Sequence, residues 1–152
     1  MSRRTFLKNG IAATTLPLFG FQSFDIDHLE GVNNLSFNLN YAPHFGMFKS
    51  HAGEDLMSQL DFMAESGFKS FEDNEMRMRP KAIQNQIAET LIKNGMTMGV
   101  FVGHKIYWDR PNLTSGNINL RDEFLADIRS SSEVAKRVNA KWMTVVPGYD
   151  DL

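Results

Sequence analysis

The sequence of 152 residues contains no cysteine, which excludes disulfides, thiolate zinc sites and a cysteine nucleophile whatever the redox state of its compartment. It also lacks an excess of one charge. Sixteen Lys and Arg stand against 18 Asp and Glu, a formal net charge of −2, and the signs are mixed along the chain, so there is no basic stripe for a nucleic-acid backbone to follow. Nucleic acid is not an expected partner. The longest weakly apolar stretch, Gly10 to Phe21, is broken by Pro17 and Gly20 and falls short of the roughly 20 residues a membrane-spanning helix needs. Stable membrane insertion is not expected. Gly95, Gly99 and Gly103 are spaced by four and do not make Gly-x-Gly-x-x-Gly, no Gly-x-Ser-x-Gly occurs, and His28, His44, His51 and His104 form no His-x-His or His-x-x-x-His pair. A dinucleotide loop, a nucleophile elbow and a preformed histidine metal pair are thereby absent.

What is present falls into two parts. Ser2-Arg3-Arg4-Thr5-Phe6-Leu7-Lys8 sets two adjacent arginines before the short apolar stretch, the layout of a twin-arginine signal peptide. Residues 1–30 are read as that signal and a linker, although no small-x-small cleavage box stands out; the competing description is a basic tail leading into an ordinary buried segment. On the export reading the protein is periplasmic and crosses the membrane already folded. The remainder, residues 34–152, is one domain with room for a core but well under the ~250 residues of a complete barrel.

From Asn34 onward, apolar residues alternate between a period of two and a period near 3.6, as parallel strands joined by crossover helices require. A first strand is predicted over Leu35 to Asn40, then a helix from near Gly53 to Gly67 carrying Leu56, Leu60, Met63 and Ala64 on one face. A second strand spans Phe68 to Asp73. A second helix opens at Pro80, buries Ile83, Ile87, Ala88 and Leu91, and stops at Gly95. A third strand, Met96 to Val102, is a nearly continuous apolar run, as a strand covered on both faces should be. The third helix takes Asn119 as its cap and aligns Phe124, Ile128, Ala135 and Val138, delivering the chain to a fourth strand, Trp142 to Val146. The fold class is α/β, with the organisation of the N-terminal half of a (β/α)8 TIM barrel: strands one to four and helices one to three. His104 to Ile118 is an insertion after the third strand, on the face where barrel sites are built.

The face covered by helices must be apolar, so Asn38, Asn40, Ser70 and Glu72 are expected to point into the barrel, and Phe37, Leu39 and Phe71 towards the helices. Glu72 is the candidate catalytic carboxylate, because an inward carboxylate is costly without a partner or ligand; Asp73 and Glu75 are read as solvated loop residues. His44 lies in Tyr41-Ala42-Pro43-His44-Phe45-Gly46-Met47-Phe48, a stretch that either closes over a small ligand or packs the barrel mouth. His104 follows Gly103, which allows close approach, and Lys105 is placed to attract an anionic substrate. The candidate substrate-binding set is Asn38, Asn40, His44, Glu72, His104 and Lys105. Ser130-Ser131-Ser132 reads as the exposed side of a helix, and the nine methionines as adaptable core filler.

Four strings carry a resemblance: Leu39-Asn40-Tyr41-Ala42-Pro43-His44, Gly67-Phe68-x-x-Phe71-Glu72-Asp73-Asn74, Met96-Thr97-Met98-Gly99-Val100-Phe101-Val102, and Val134-Ala135-Lys136-Arg137-Val138-Asn139-Ala140-Lys141-Trp142. Together they resemble the N-terminal half of the hydroxypyruvate isomerase family, within the xylose isomerase-like barrels of sugar phosphate isomerases and epimerases, and its exported twin-arginine members most. The resemblance implies aldose–ketose isomerisation of a small hydroxy-carbonyl or sugar substrate through an enediolate, with a divalent metal, Mg, Mn or Co, in the full-length parent. It also implies that the metal ligands come from strands five to eight, so no metal is expected to be bound by this chain alone. The expectation is a fragment, inactive alone, that self-associates or pairs with a missing C-terminal half, since four parallel strands leave two unpaired edges. A non-catalytic half-barrel that binds a ligand or protein partner, a nuclease of the same clan and a flavodoxin-like domain are the alternatives.

Overall fold

The expected strand and helix rhythm takes shape as a series of parallel pairings in the computed structural model, which describes residues 37–149. The predicted export segment, His28 and the start of the first predicted strand lie outside the described residues.

Helix boundaries follow capping chemistry. A single turn, α1 (Lys49–Ala52), which the periodicity does not announce, ends at Gly53. Helix α2 (Leu56–Glu65) begins where the Asp55 carboxylate accepts the Ser58 N–H at 2.8 Å and its hydroxyl at 2.9 Å, three residues past the expected start at Gly53. It stops at Gly67, whose φ of 91° lets the Phe68 N–H reach back to the Met63 carbonyl at 3.0 Å. Helix α3 (Lys81–Lys93) has Pro80 at its cap and repeats that ending, with Met96 N–H on the Leu91 carbonyl at 2.8 Å. Helix α4 (Ile118–Val138) is capped by Asn117 rather than Asn119, because the Asn117 amide oxygen accepts from the backbone of Asn119 and Leu120.

Strand β1 (Ser70–Phe71) pairs in parallel with β2 (Thr97–Met98), Ser70 opposite Thr97 and Phe71 opposite Met98. Further along, Val102 bridges Thr144, again in parallel. On the other side of β1, the Pro43 carbonyl accepts the Glu72 N–H at 3.1 Å. Segments around residues 43, 71, 98–102 and 144 thus lie side by side in chain order. Phe71, Met98 and Phe101 share one cluster with Leu60 and Met63 of α2, Ile87 and Leu91 of α3, and Val134 and Val138 of α4, and α3 packs between α2 and α4. All three long helices therefore cover a single face, whereas a doubly wound sheet is covered on both. On the opposite face Ser70 and Thr97 join hydroxyls at 3.0 Å.

The ladders are shorter than the alternation predicts. Residues 37–40 form no strand; Phe37 is turned aside onto Phe68, ring centroids 4.7 Å apart, and Leu39 is left exposed. The serine run is corrected at its centre. Ser131 is fully buried and donates to the Gly103 carbonyl at 2.7 Å, because it falls on the α4 stripe with Val134 and Val138. Met63, Met76, Met96 and Met98 fill the core as expected. Among the described residues, no helix is long and apolar enough to cross a membrane.

The α2–α3 contact carries an acid-sensitive tie. The Asp61 carboxylate is held below its ordinary value of 3.8 by the Asn94 side-chain amide, 2.6 Å away, and by the Lys93 charge. A lowered folded pKa adds stability above the unfolded value that is lost as pH falls through the folded one. Asp61→Asn is expected to melt earlier than the parent at neutral pH and to converge with it below the carboxylate range, in thermal unfolding followed against pH.

Candidate functional site

The chain leaving β1 places consecutive side chains in different environments. Phe71 goes under the helices, so Glu72 emerges on the uncovered face beside Gly99, where an added Cβ would lie 3.4 Å from Glu72 Cβ and 3.1 Å from the Phe71 carbonyl oxygen. Only glycine admits that approach without a shift. Glu72 meets His44, its Oε1 2.6 Å from His44 Nε2, with the carboxylate 26 % and the imidazole 40 % exposed. A carboxylate accepts only, so Nε2 carries a proton, and in the neutral form of the ring Nδ1 is an acceptor; Nδ1 has no hydrogen-bond partner among the described residues.

The loop carrying His44 is tied down from α2. Gln59 is fully buried, accepts the Gly46 N–H at 2.8 Å and donates to the Gly53 carbonyl at 3.0 Å. Asp73 is buried too, against the expectation of a solvated residue. Arg79 reaches both its oxygens, with Nη2 3.1 Å from Oδ1, while Asp73 Oδ1 also accepts the Glu75 N–H at 3.2 Å. The bond to Asp73 holds the Arg79 guanidinium above its ordinary value. Arg79 lies over the Phe45 ring, 5.0 Å from its centroid, and its carbonyl, with that of Met76, accepts from buried Gln84 of α3. Glu75 is exposed, as expected.

A cavity of about 450 Å³, lined by His44, Phe45, Lys49, Gln59 and Arg79 among others, opens beside the pair. An aromatic groove of about 590 Å³ formed by Phe37, Tyr41, Pro43, Met47 and Phe48 meets His44 from its other side. His44 is the wall they share.

The remaining candidates do not join this pair. Asn38 and Asn40, expected to face a barrel interior, are exposed because residues 37–40 enter no ladder. His104 is buried with both ring nitrogens engaged: Nε2 accepts the Val146 N–H at 2.9 Å, so Nδ1 donates to the Lys105 carbonyl at 2.8 Å. Its ring holds the last parallel segment in place, and a substrate contact through either nitrogen costs one of those bonds. Lys105 lies over the Tyr107 ring at 4.4 Å and 3.9 Å from Glu123, its ammonium held above the ordinary value first by the Tyr107 side chain and then by Glu123.

A divalent cation needs several converging oxygen or nitrogen donors. Among the described residues no three His, Asp or Glu side chains converge; His44 and Glu72 satisfy each other and Asp73 is committed to Arg79. These residues do not by themselves fit such an ion. Sequence reasoning missed Gln59, Arg79 and Gln84. The signal for the two glutamines was their place on the core-facing stripes, Gln59 beside Leu60 and Met63, and Gln84 with Ile87 and Leu91.

No protein-family model matches the chain, and no curated protein matches it. Among solved structures it is similar to a D-psicose 3-epimerase crystallised in the presence of D-fructose, at 15% identity and a TM-score of 0.47, over 59% of this chain and 30% of that one. The chain therefore spans less than a third of that protein's length.

Proposed function

We propose that this chain supplies the first half of a xylose isomerase-like (β/α)8 barrel, and that His44 and Glu72 form the part of a sugar or hydroxy-carbonyl isomerase site that lies within it. The carrying observation is the His44–Glu72 contact on the one face the helices leave uncovered, at the carboxyl end of β1, where barrel enzymes hold substrate. The order of parallel segments and the likeness of four strings to the hydroxypyruvate isomerase family support the same reading. In it, Glu72 orients the imidazole, and His44 Nδ1 accepts a substrate hydroxyl or takes its proton. A divalent cation, which the resemblance implies would be held by the parent's remaining strands, would supply Lewis-acid stabilisation of charge developing on the substrate's oxygens. Trp142, 71 % exposed, and Val145, 47 % exposed, belong to the edge that those strands or a second copy cover. The protein is exported to the periplasm by its twin-arginine signal.

The test is an assay of the full-length gene product containing this chain against hydroxypyruvate and a panel of ketoses, with and without chelator. Chelator-sensitive interconversion is expected, with His44→Ala lowering kcat/KM by roughly 10²-fold or more if the ring moves a proton, against about tenfold if it only binds. Turnover unaffected by His44→Ala would remove the pair from the site.

A further inference from the structure

We propose that Met47 is an oxidation site through which a peroxide acts on His44, a modification that needs no substrate and does not rest on the isomerase reading. Most of the described methionines are shielded: Met63, Met76, Met96 and Met98 are buried in the core, and Met57 and Met143 are half-buried. Met47 and Met78 stand apart, 61 % and 80 % exposed, and oxidation of a thioether follows the access of the oxidant to its sulfur. What the sulfur holds separates these two. The turn from His44 to Met47 is closed twice, since the Met47 N–H donates to the His44 carbonyl at 3.4 Å and the His44 N–H donates to Met47 Sδ at 3.4 Å. Met78 lies on the turn Met76–Met78 and lines a different cavity, with Arg77 and Trp108, whose wall does not include His44.

The step balances with a peroxide alone. The Met47 sulfur lone pair attacks one peroxide oxygen, an S–O bond forms as the O–O bond breaks, the sulfur loses two electrons, and the hydroxyl proton passes to the departing hydroxide, which leaves as water. A flexible apolar side chain becomes a polar one. The new oxygen is a stronger acceptor than the sulfur and stands one bond farther out, so the His44 N–H keeps a partner only if the turn adjusts. The polar group also fits poorly beside Tyr41, Pro43 and Phe48 in the aromatic groove that Met47 lines. Both changes meet at His44, whose Nε2 lies 2.6 Å from Glu72 Oε1, a contact that weakens as it lengthens.

Treatment of the full chain with dilute hydrogen peroxide tests this, followed by peptide mass spectrometry and by the backbone amide and ring resonances of His44, the ring signals assigned with His44→Gln. Met47 and Met78 are expected to gain oxygen before any other described methionine, and the His44 signals to shift in step with the Met47 sulfoxide. Met47→Leu, a volume-conserving exchange at an exposed position, is expected to abolish the peroxide response of His44, and Met78→Leu to leave it whole. Methionine sulfoxide reductases supplied with a thiol reductant should return the parent's signals, two enzymes being needed because each acts on one sulfoxide epimer. Met47 staying reduced while half-buried Met57 or Met143 is oxidised overturns the inference. So does full conversion of Met47 with the His44 signals unmoved, or a peroxide response that survives in Met47→Leu.

Discussion

Arg79→Met is expected to destabilise the protein by about 3–5 kcal/mol, as removal of one partner from a buried ion pair does. The Asp73 side chain is 6 % exposed and Arg79 17 %, so the carboxylate left behind cannot recover its lost partner from water. Among the described residues its one remaining donor is the Glu75 N–H. Chemical denaturation of three proteins separates the causes. If the loss comes from an uncompensated charge, the double variant Asp73→Asn, Arg79→Met recovers most of it; if it comes from the apolar stem of Arg79 on Phe45, the double variant stays as unstable as the single one. A single-variant loss below about 1 kcal/mol, the range of exposed pairs, means the clamp is not buried in solution. The same variant is expected to disturb the His44 ring resonances, because Asp73 adjoins Glu72 and anchors the turn from which Gln84 of α3 is held.

The long helices were legible because each carries an apolar stripe, joined in α2 and α3 by a glycine that ends it. Gly67 and Gly95 stop α2 and α3 where their positive φ allows the last carbonyls to be satisfied. Asn139, at φ 53°, does the same for α4 without announcing it as glycine would. Strands were overread because alternation records only which side chains avoid water, and Phe37 and Leu39 alternate with asparagine without a helix to cover them. Glu72 was found from the parity of its strand, yet its partner His44 lies 28 residues earlier in a loop, and no local pattern couples the two. Polar residues bonded to remote backbone were the least legible. Ser131 meets the Gly103 carbonyl across 28 residues and His104 the Val146 N–H across 42, so a serine run passed for a surface and the bond that ties His104 to the last parallel segment left no local trace. Asp73 misled in the same way, since a run of carboxylates looks solvated until Arg79 is seen folded back on it by the turn at Met76–Met78.

Phe71→Ala and Glu72→Gln, adjacent in the chain, are expected to have opposite consequences. Phe71 is fully buried, packed against Phe45 with ring centroids 4.5 Å apart and planes tilted by 58°, and joined to the cluster that binds all three long helices to the strands. Truncating it removes a large apolar side chain and leaves a cavity, a loss of about 3–5 kcal/mol. That is a large share of the 5–15 kcal/mol that typically separates a folded domain from its unfolded chain. Glu72→Gln keeps an acceptor oxygen opposite His44 and removes a charge that is one-quarter exposed, so its cost in stability is expected to stay under about 1 kcal/mol. Its effect falls on the imidazole, which loses the carboxylate that fixes its protonated nitrogen, and the Nδ1 and Nε2 nitrogen shifts of His44 should move towards a mixture of tautomers. Denaturation curves and histidine nitrogen spectra on the two variants measure both effects. Comparable stability losses at the two positions would mean that β1 does not separate a helix-packed face from an open one, and the assignment of His44 and Glu72 to a ligand-facing side would have no structural basis.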